Sequence, residues 1–267
     1  LIKVVNSFGV QDDFLYDYAI PVLNQRAATG QPFFATLLSI SNHPPYVIPP
    51  FFHPKTSEPE TQIVEYADWA LRQFFEEARK QPWFDNTIFV LEGDHGKLVG
   101  DAECELPESY NHIPLMIYSS RIQPEEKTTF GGQVDIQPTI LGLLNIDYLQ
   151  NNFGVDLLKE ERPCMFYTAD NMVVGRNDTL LYLYNYETQQ ELTYDIGNGK
   201  LNAVPMDDSF LPLKEYSFSM LQSAEFLVKH GKTLNSIPLL NNRSRFGIFR
   251  LLVFNELVYL GYLRSTR

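Results

Sequence analysis

Only two cysteines, Cys104 and Cys164, occur in the 267 residues, and they lie far outside CxxC spacing. Neither a zinc finger nor a disulfide framework is indicated, and cysteine usage leaves the compartment open. Basic residues are outnumbered: 21 Lys and Arg stand against 33 Asp and Glu, a formal net charge of −12. That balance disfavours nucleic acid and repels an anionic lipid surface except through a local basic patch. No apolar run is long enough to span a bilayer. The richest stretch, Phe246 to Leu263, is interrupted by Arg250, Asn255 and Glu256, so an amphipathic helix is expected there. Leu1 is not preceded by a methionine, a charged n-region or an apolar h-region; no signal peptide is expected, and the chain is expected to begin mid-protein. Internal repeats and low-complexity tracts are lacking too. What is present, 44% hydrophobic and 13% aromatic residues, is the composition of a globular protein large enough to bury a real core.

Residues Phe33 to Ile40 (FFATLLSI) form a near-continuous apolar run after Pro32, as expected of a strand covered on both faces in a parallel sheet. A proline-rich loop, Pro44 to Pro54, leads to Gln62 to Lys80, where Val64, Ala67, Leu71, Phe74, Phe75 and Ala78 recur at helical spacing. A second strand follows at Asn86 to Leu91, and strand, helix, strand in that order predicts a βαβ unit with a right-handed crossover. His112-Ile113-Pro114 opens a further short apolar strand through Tyr118, and Asp135 is placed to cap a helix from Ile136 to Leu144. From Pro163 onward short β-rich pieces alternate with Gly, Asn and Asp turns, which reads as an antiparallel subdomain. Leu213 to His230 then forms one amphipathic helix stopped by Gly231.

The stretch Leu91-Glu92-Gly93-Asp94-His95-Gly96 carries the chemistry. Neighbouring side chains in a strand point to opposite faces, so Asp94 and His95 converge on one ion only where the chain leaves the sheet. Flanking glycines would give the backbone that freedom. One oxygen and one nitrogen donor suit Mn²⁺, Zn²⁺ or Mg²⁺ better than a soft copper site, but two ligands complete no coordination shell. The competing reading is a solvated loop with a capping Asp. In the βαβ order His43, at the end of the first strand, shares the carboxyl edge of the sheet with Asp94 and His95. That is the edge where open α/β sheets bind ligands.

Taken together, Pro32-Phe33-Phe34, Ser41-Asn42-His43-Pro44-Pro45-Tyr46, Tyr66-Ala67-Asp68-Trp69-Ala70-Leu71, Asp85 to Val90 with Gly93-Asp94-His95-Gly96, His112-Ile113-Pro114 and Val134 to Leu141 resemble the sulfatase-like lipoteichoic acid synthases of the alkaline phosphatase superfamily. The resemblance runs roughly from Phe8 to Leu158. It implies an α/β fold with a mostly parallel central sheet flanked by helices, N-terminally incomplete, and a small C-terminal antiparallel β subdomain with a helix. The corresponding division is a core at 1–160, a β-rich subdomain at 161–235 and an apolar tail at 236–267.

The resemblance further implies transfer of a phosphoglycerol or phosphoethanolamine headgroup from a phospholipid to a glycolipid or envelope-polymer acceptor. A threonine nucleophile and a divalent cation, Mn²⁺ first and Zn²⁺ or Mg²⁺ otherwise, would serve an enzyme anchored in the cell membrane by upstream spans, its catalytic domain outside the cytoplasm. Asp94 and His95 match two metal ligands; His43 and His112 match residues lining the substrate pocket. The nucleophile matches no residue here: Thr29 sits in a turn-like Ala-Thr-Gly stretch and Thr36 within a strand. Glu92 and Phe8 depart from the family pattern, where a small or hydroxylated residue and a tryptophan are usual. A sulfatase or phosphodiesterase hydrolase, and a non-catalytic lipid- or carbohydrate-binding remnant, are the alternatives. His43 as a backbone-bonded strand-end residue, His112 as a packed one, His53 and His230 as structural, and Asp101 to Glu108 as a solvated loop are the plainer readings.

Overall fold

The computed structural model describes residues 8–98, 101–150 and 152–232, with the backbone alone of 250–255. The chain divides into two compact units, one of 1–100, 108–124 and 248–267, the other of 101–107 and 125–247. These units differ from the 1–160, 161–235 and 236–267 division: residues 125–160 group with the antiparallel sheet, and the 250–255 segment returns to the first unit.

In the first unit, α1 (Asp12–Ala28) precedes β1 (Phe33–Leu38), α2 (Pro59–Ala78) and β2 (Thr87–Glu92), and a single turn, α3 (Glu108–Asn111), leads to β3 (Leu115–Tyr118). β1 and β2 are parallel, as the strand–helix–strand order requires, but not adjacent: the sheet order is β1, then the 250–255 strand, then β2 and β3, with β3 antiparallel. The expected helix in the tail is corrected at this point. Arg250–Asn255 is a strand, and the residues that interrupt the apolar run, Arg250 and Asn255, are its two ends. Four consecutive apolar residues between them suit a central parallel strand better than a one-sided helix. The rest of the tail, 236–249 and 256–267, lies outside the described residues.

One face of this sheet is covered by helices. Tyr16, Ala19 and Leu23 of α1 and Ala70, Phe74 and Ala78 of α2 share a core with Trp83, Phe84, Phe89 and Leu91, and Phe33, Ala35 and Leu37 pack against it. The buried stripe of α2 runs Ile63, Tyr66, Ala70, Phe74, Ala78, one position round from the expected stripe. Tyr66 explains the rotation: its hydroxyl donates to Asp13 Oδ1 at 2.6 Å, so a tyrosine that reads as half-polar becomes fully buried on the α1 side. α1 itself has apolar residues all around it and Pro21 inside it, so no one-sided pattern marks it.

The second unit holds α4 (Gln133–Leu143), a five-stranded antiparallel sheet in the order of the chain, β4 (Met165–Ala169), β5 (Met172–Arg176), β6 (Leu180–Asn185), β7 (Gln190–Asp195) and β8 (Asn202–Ala203), and α5 (Leu211–Lys229). The tail strand Arg250–Asn255 is therefore β9. Asp135 is not the N-cap of α4 but its third residue. Its Oδ2 accepts from the Gly132 amide at 2.8 Å, and the carboxylate is also paired with the buried Arg162 guanidinium. With side chains 3% and 0% exposed, this pair holds the start of α4 against the segment before β4. Such a pair contributes more to fixing geometry than to net stability.

The loop carrying His43 is anchored by Asp12. Its Oδ1 accepts from the Ile40 and Ser41 amides, both at 3.1 Å, and from Ser41 Oγ at 2.7 Å, while the Asp12 amide donates to Ser41 Oγ at 3.1 Å. Burial, opposed by those hydrogen bonds, leaves its carboxyl above the usual range. A raised pKa favours the protonated form in the folded state, so the associated stability is present below the unfolded value and is lost as pH rises through the folded one. Asp12→Ala strands three donors and is expected to cost about 1–3 kcal/mol, read as a lower urea midpoint at constant m. Asp12→Asn keeps the acceptor, and its stability relative to wild type is expected to improve from pH 3 to pH 7. A flat or opposite trend would contradict the assignment.

Candidate metal centre

The parallel register sets four segments level. Leu38 and Glu92 both pair with Asn255, and Leu115 pairs with Glu92. His43 lies five residues beyond the end of β1, Asp94 and His95 two and three beyond β2, and His112 three before β3. Because β3 is antiparallel, its start lies where β2 ends, so all four residues fall at the C-terminal edge of the parallel strands. β1 and β2 are two strand spacings apart, about 10 Å.

Asp94 and His95 are exposed and face one another. His95 Nε2 stands 3.8 Å from Asp94 Oδ2, and the His95 amide donates to Asp94 Oδ1 at 2.9 Å. His95 Nδ1 lies 2.8 Å from the Gly96 carbonyl oxygen. A carbonyl only accepts, so Nδ1 carries the proton and Nε2 presents its lone pair, the arrangement that orients metal-ligating histidines. Donors sharing an ion at about 2.1 Å lie about 3.0–3.4 Å apart, so a closure of a few tenths of an ångström brings the pair to that spacing. The donor set therefore fits a hard or borderline divalent cation. Among the described residues no group of three or more His, Cys, Asp or Glu side chains is gathered around one point.

Glu92, the last residue of β2, places a second carboxyl at the same edge. Its Oε2 is buried without a hydrogen-bond partner among the described residues, and burial first, then the charge of Asp94, pushes its carboxyl up. His43 is exposed, its Nδ1 2.7 Å from the Pro44 carbonyl and its ring centroid 3.9 Å from that of Phe8. By the same argument its Nε2 is the nitrogen left for a ligand. The His112 side chain is exposed rather than packed, and its amide closes α3 by donating to Glu108 at 2.8 Å. The local bond foreseen for a capping Asp94 is made to the next amide. His53 is exposed, and His230 ends α5 with Nδ1 2.8 Å from the Phe226 carbonyl. Asp101, Glu103 and Glu105 are exposed, Glu105 accepting from the Tyr194 hydroxyl.

The glycines act differently from expectation. Neither Gly93 nor Gly96 has a left-handed φ. They are needed for close approach: the Gly96 amide donates to the Tyr110 carbonyl at 2.8 Å, and a Cβ there would stand 2.0 Å from the Ser109 carbonyl oxygen. At Gly93 a Cβ would meet the Ile113 side chain at 3.3 Å. Sequence reasoning also passed over Lys97, whose link to Tyr46 and Glu60 has no local signature.

Three parallel strands with an antiparallel neighbour and flanking helices define an α/β protein, with His43, Asp94, His95 and His112 at the C-terminal edge of the parallel strands. The family model described as Sulfatase matches residues 4–146, and the chain belongs to that family. It is 27% identical over 219 residues to lipoteichoic acid synthase 1 of Bacillus subtilis (strain 168), covering 74% of this chain and 32% of that protein. Against the lipoteichoic acid synthase of Staphylococcus saprophyticus it is 28% identical over 182 residues, 59% of this chain and 27% of the other. A solved structure of a protein in the alkaline phosphatase superfamily from Vibrio parahaemolyticus superposes with a TM-score of 0.76 at 25% identity, covering 88% of this chain and 59% of that one. The chain fits the sulfatase-like lipoteichoic acid synthases within the superfamily, and it spans 27–32% of the length of these two synthases.

Gly96→Ala is expected to force the 93–96 turn away from the 109–110 backbone and to cost about 1–3 kcal/mol, whereas Gly93→Ala, facing a movable side chain, costs less than about 1 kcal/mol. Thermal unfolding of the two variants checks the order, and equal losses would contradict the close-approach account.

Proposed function

We propose that this chain forms the Asp94–His95 part of a divalent-cation site in an extracytoplasmic, membrane-anchored transferase that moves a phosphoglycerol headgroup from a phospholipid to a cell-envelope acceptor. The observation that carries the reading is the His95 imidazole, locked through Nδ1 to a backbone carbonyl with Nε2 turned toward the Asp94 carboxylate. Similarity to proteins named lipoteichoic acid synthase supports phosphoglycerol over phosphoethanolamine. Among the described residues no helix is long and apolar enough to cross a membrane, so the anchor in this reading belongs to another part of the protein.

A bound Mn²⁺, or Zn²⁺ or Mg²⁺, would supply Lewis-acid stabilisation of charge on the phosphoryl oxygens. Asp94 and His95 would hold it. His43, through Nε2, and His112, three residues before β3, would hydrogen-bond phosphate or headgroup oxygens at the same edge. Neither Thr29 nor Thr36 is placed to attack. Thr29 Oγ1 donates to the Arg26 carbonyl at 2.7 Å at the end of α1, and Thr36 lies inside β1. The phospho-threonine step of this reading therefore uses a nucleophile from another part of the polypeptide. The same residues would serve a hydrolase if water replaced the acceptor alcohol.

Calorimetric titration of the isolated chain with Mn²⁺ is expected to give one weak site, with Asp94→Asn and His95→Ala each lowering affinity at least about tenfold, or 1.4 kcal/mol. The isolated chain is expected to turn over neither lipid nor an artificial phosphodiester. Binding untouched by both substitutions would remove the metal assignment, and turnover abolished by Asp94→Asn would show that the chain carries a complete site.

A further inference from the structure

The two halves of the candidate site ride on separate loops. β9 lies between β1 and β2, so no ladder hydrogen bond links the strand bearing the His43 loop to the strand bearing Asp94 and His95. Both segments are exposed connections, where backbone freedom is greatest. A tie between them is needed if His43 and the Asp94–His95 pair are to meet one ligand in a fixed relation.

Lys97 supplies that tie. Its ammonium, two residues beyond His95, donates to the Tyr46 hydroxyl at 3.0 Å and pairs with Glu60 Oε1 at 3.1 Å. It also lies 5.2 Å from the centroid of the Tyr46 ring. Tyr46 is three residues beyond His43 in the same loop, and Glu60 is in the first turn of α2. Three segments remote in sequence therefore converge on one nitrogen with three donors. Burial acts to lower the Lys97 pKa, but the hydrogen bonds to Tyr46 and Glu60 outweigh it and keep the group charged.

The contact explains little as a source of stability. The Lys97 side chain is 37% exposed and that of Glu60 63%, and ion pairs so wetted contribute little to folding. Its effect is geometric, because small displacements of a ligand-holding group cost far more in function than in stability. We propose that Lys97 is a positioning residue that holds the His43 loop in fixed relation to the Asp94–His95 turn. The proposal rests on the metal reading above for its functional meaning, but not for its geometry.

The test uses the chain as it stands, with its histidine ring protons followed by NMR. Bound Mn²⁺ broadens nearby protons with a steep distance dependence. In wild type it is expected to broaden the Cε1 protons of both His95 and His43. In Lys97→Met the Mn²⁺ affinity should stay within about threefold, with His95 still broadened and the His43 broadening lost; Lys97→Arg should restore it. Tyr46→Phe with Glu60→Gln removes the partners from the other side and should reproduce the Lys97→Met effect, which guards against a folding defect in one variant. His43 broadened as in wild type in Lys97→Met would overturn the proposal. Should Mn²⁺ broaden neither ring in wild type, the metal reading fails by itself. The metal-free spectra then decide: a shifted His43 signal in folded Lys97→Met supports the tie, and an unmoved one overturns it.

Discussion

The parallel register of β1, β9 and β2 is the constraint from which the rest of the site follows. Leu38, Asn255 and Glu92 stand level across three strands, so whatever the chain does after β1 and β2 it does on one edge. The middle strand comes from residues 250–255, far along the chain from both neighbours. Closing so long a loop carries an entropic cost, and the parallel pairing of β9 with both neighbours opposes it. The site is thus built on the most non-local contact in the first unit.

Given that edge, the fine placement is done by a few links between segments, some from side chain to backbone and some between side chains. Asp12 gathers two amides and a hydroxyl and so sets the exit of the chain from β1 toward His43. Gly96 lets the Asp94–His95 turn press against the 109–110 backbone, which brings the segment holding His112 alongside. Each of the His43 and His95 imidazoles has Nδ1 beside a neighbouring carbonyl, which leaves Nε2 free of that bond. Lys97 then spans the interval that β9 opens between the two loops. Asp94 and His95 thus stand as an exposed pair of donors whose spacing is set by the turn.

The second unit is organised on a different principle. Consecutive antiparallel hairpins need only local pairing, and the buried Asp135–Arg162 pair fastens α4 to the segment before β4. Ser217 of α5 sits where the helix packs on β5, its hydroxyl reaching the Val174 and Leu213 carbonyls, and Gly175 leaves room for that approach. A unit held by neighbours in sequence can form without the long-range closure that the first unit requires.

The amino-acid sequence by itself determined β1, β2, α2, the antiparallel sheet and α5, because each has a one-residue or helical apolar period bounded by Gly, Pro or Asn. It also determined that His43, Asp94, His95 and His112 lie at strand ends, and through their motif context it pointed to the sulfatase-like synthases. Tertiary structure alone decided the rest. β9 read as helical because its polar ends interrupt the apolar run, and only its partners make it a strand. α1 carries no one-sided pattern; Tyr66 turned the buried face of α2 by finding Asp13; Asp135 caps α4 from the third helical position rather than as the N-cap residue and also pairs with the buried Arg162. Gly96 and Lys97 mattered through neighbours 13 and 51 residues away, respectively Ser109 and Tyr46. Local propensity records what a residue does to its own backbone, whereas a close approach or a tie between loops exists only once distant segments have been brought together.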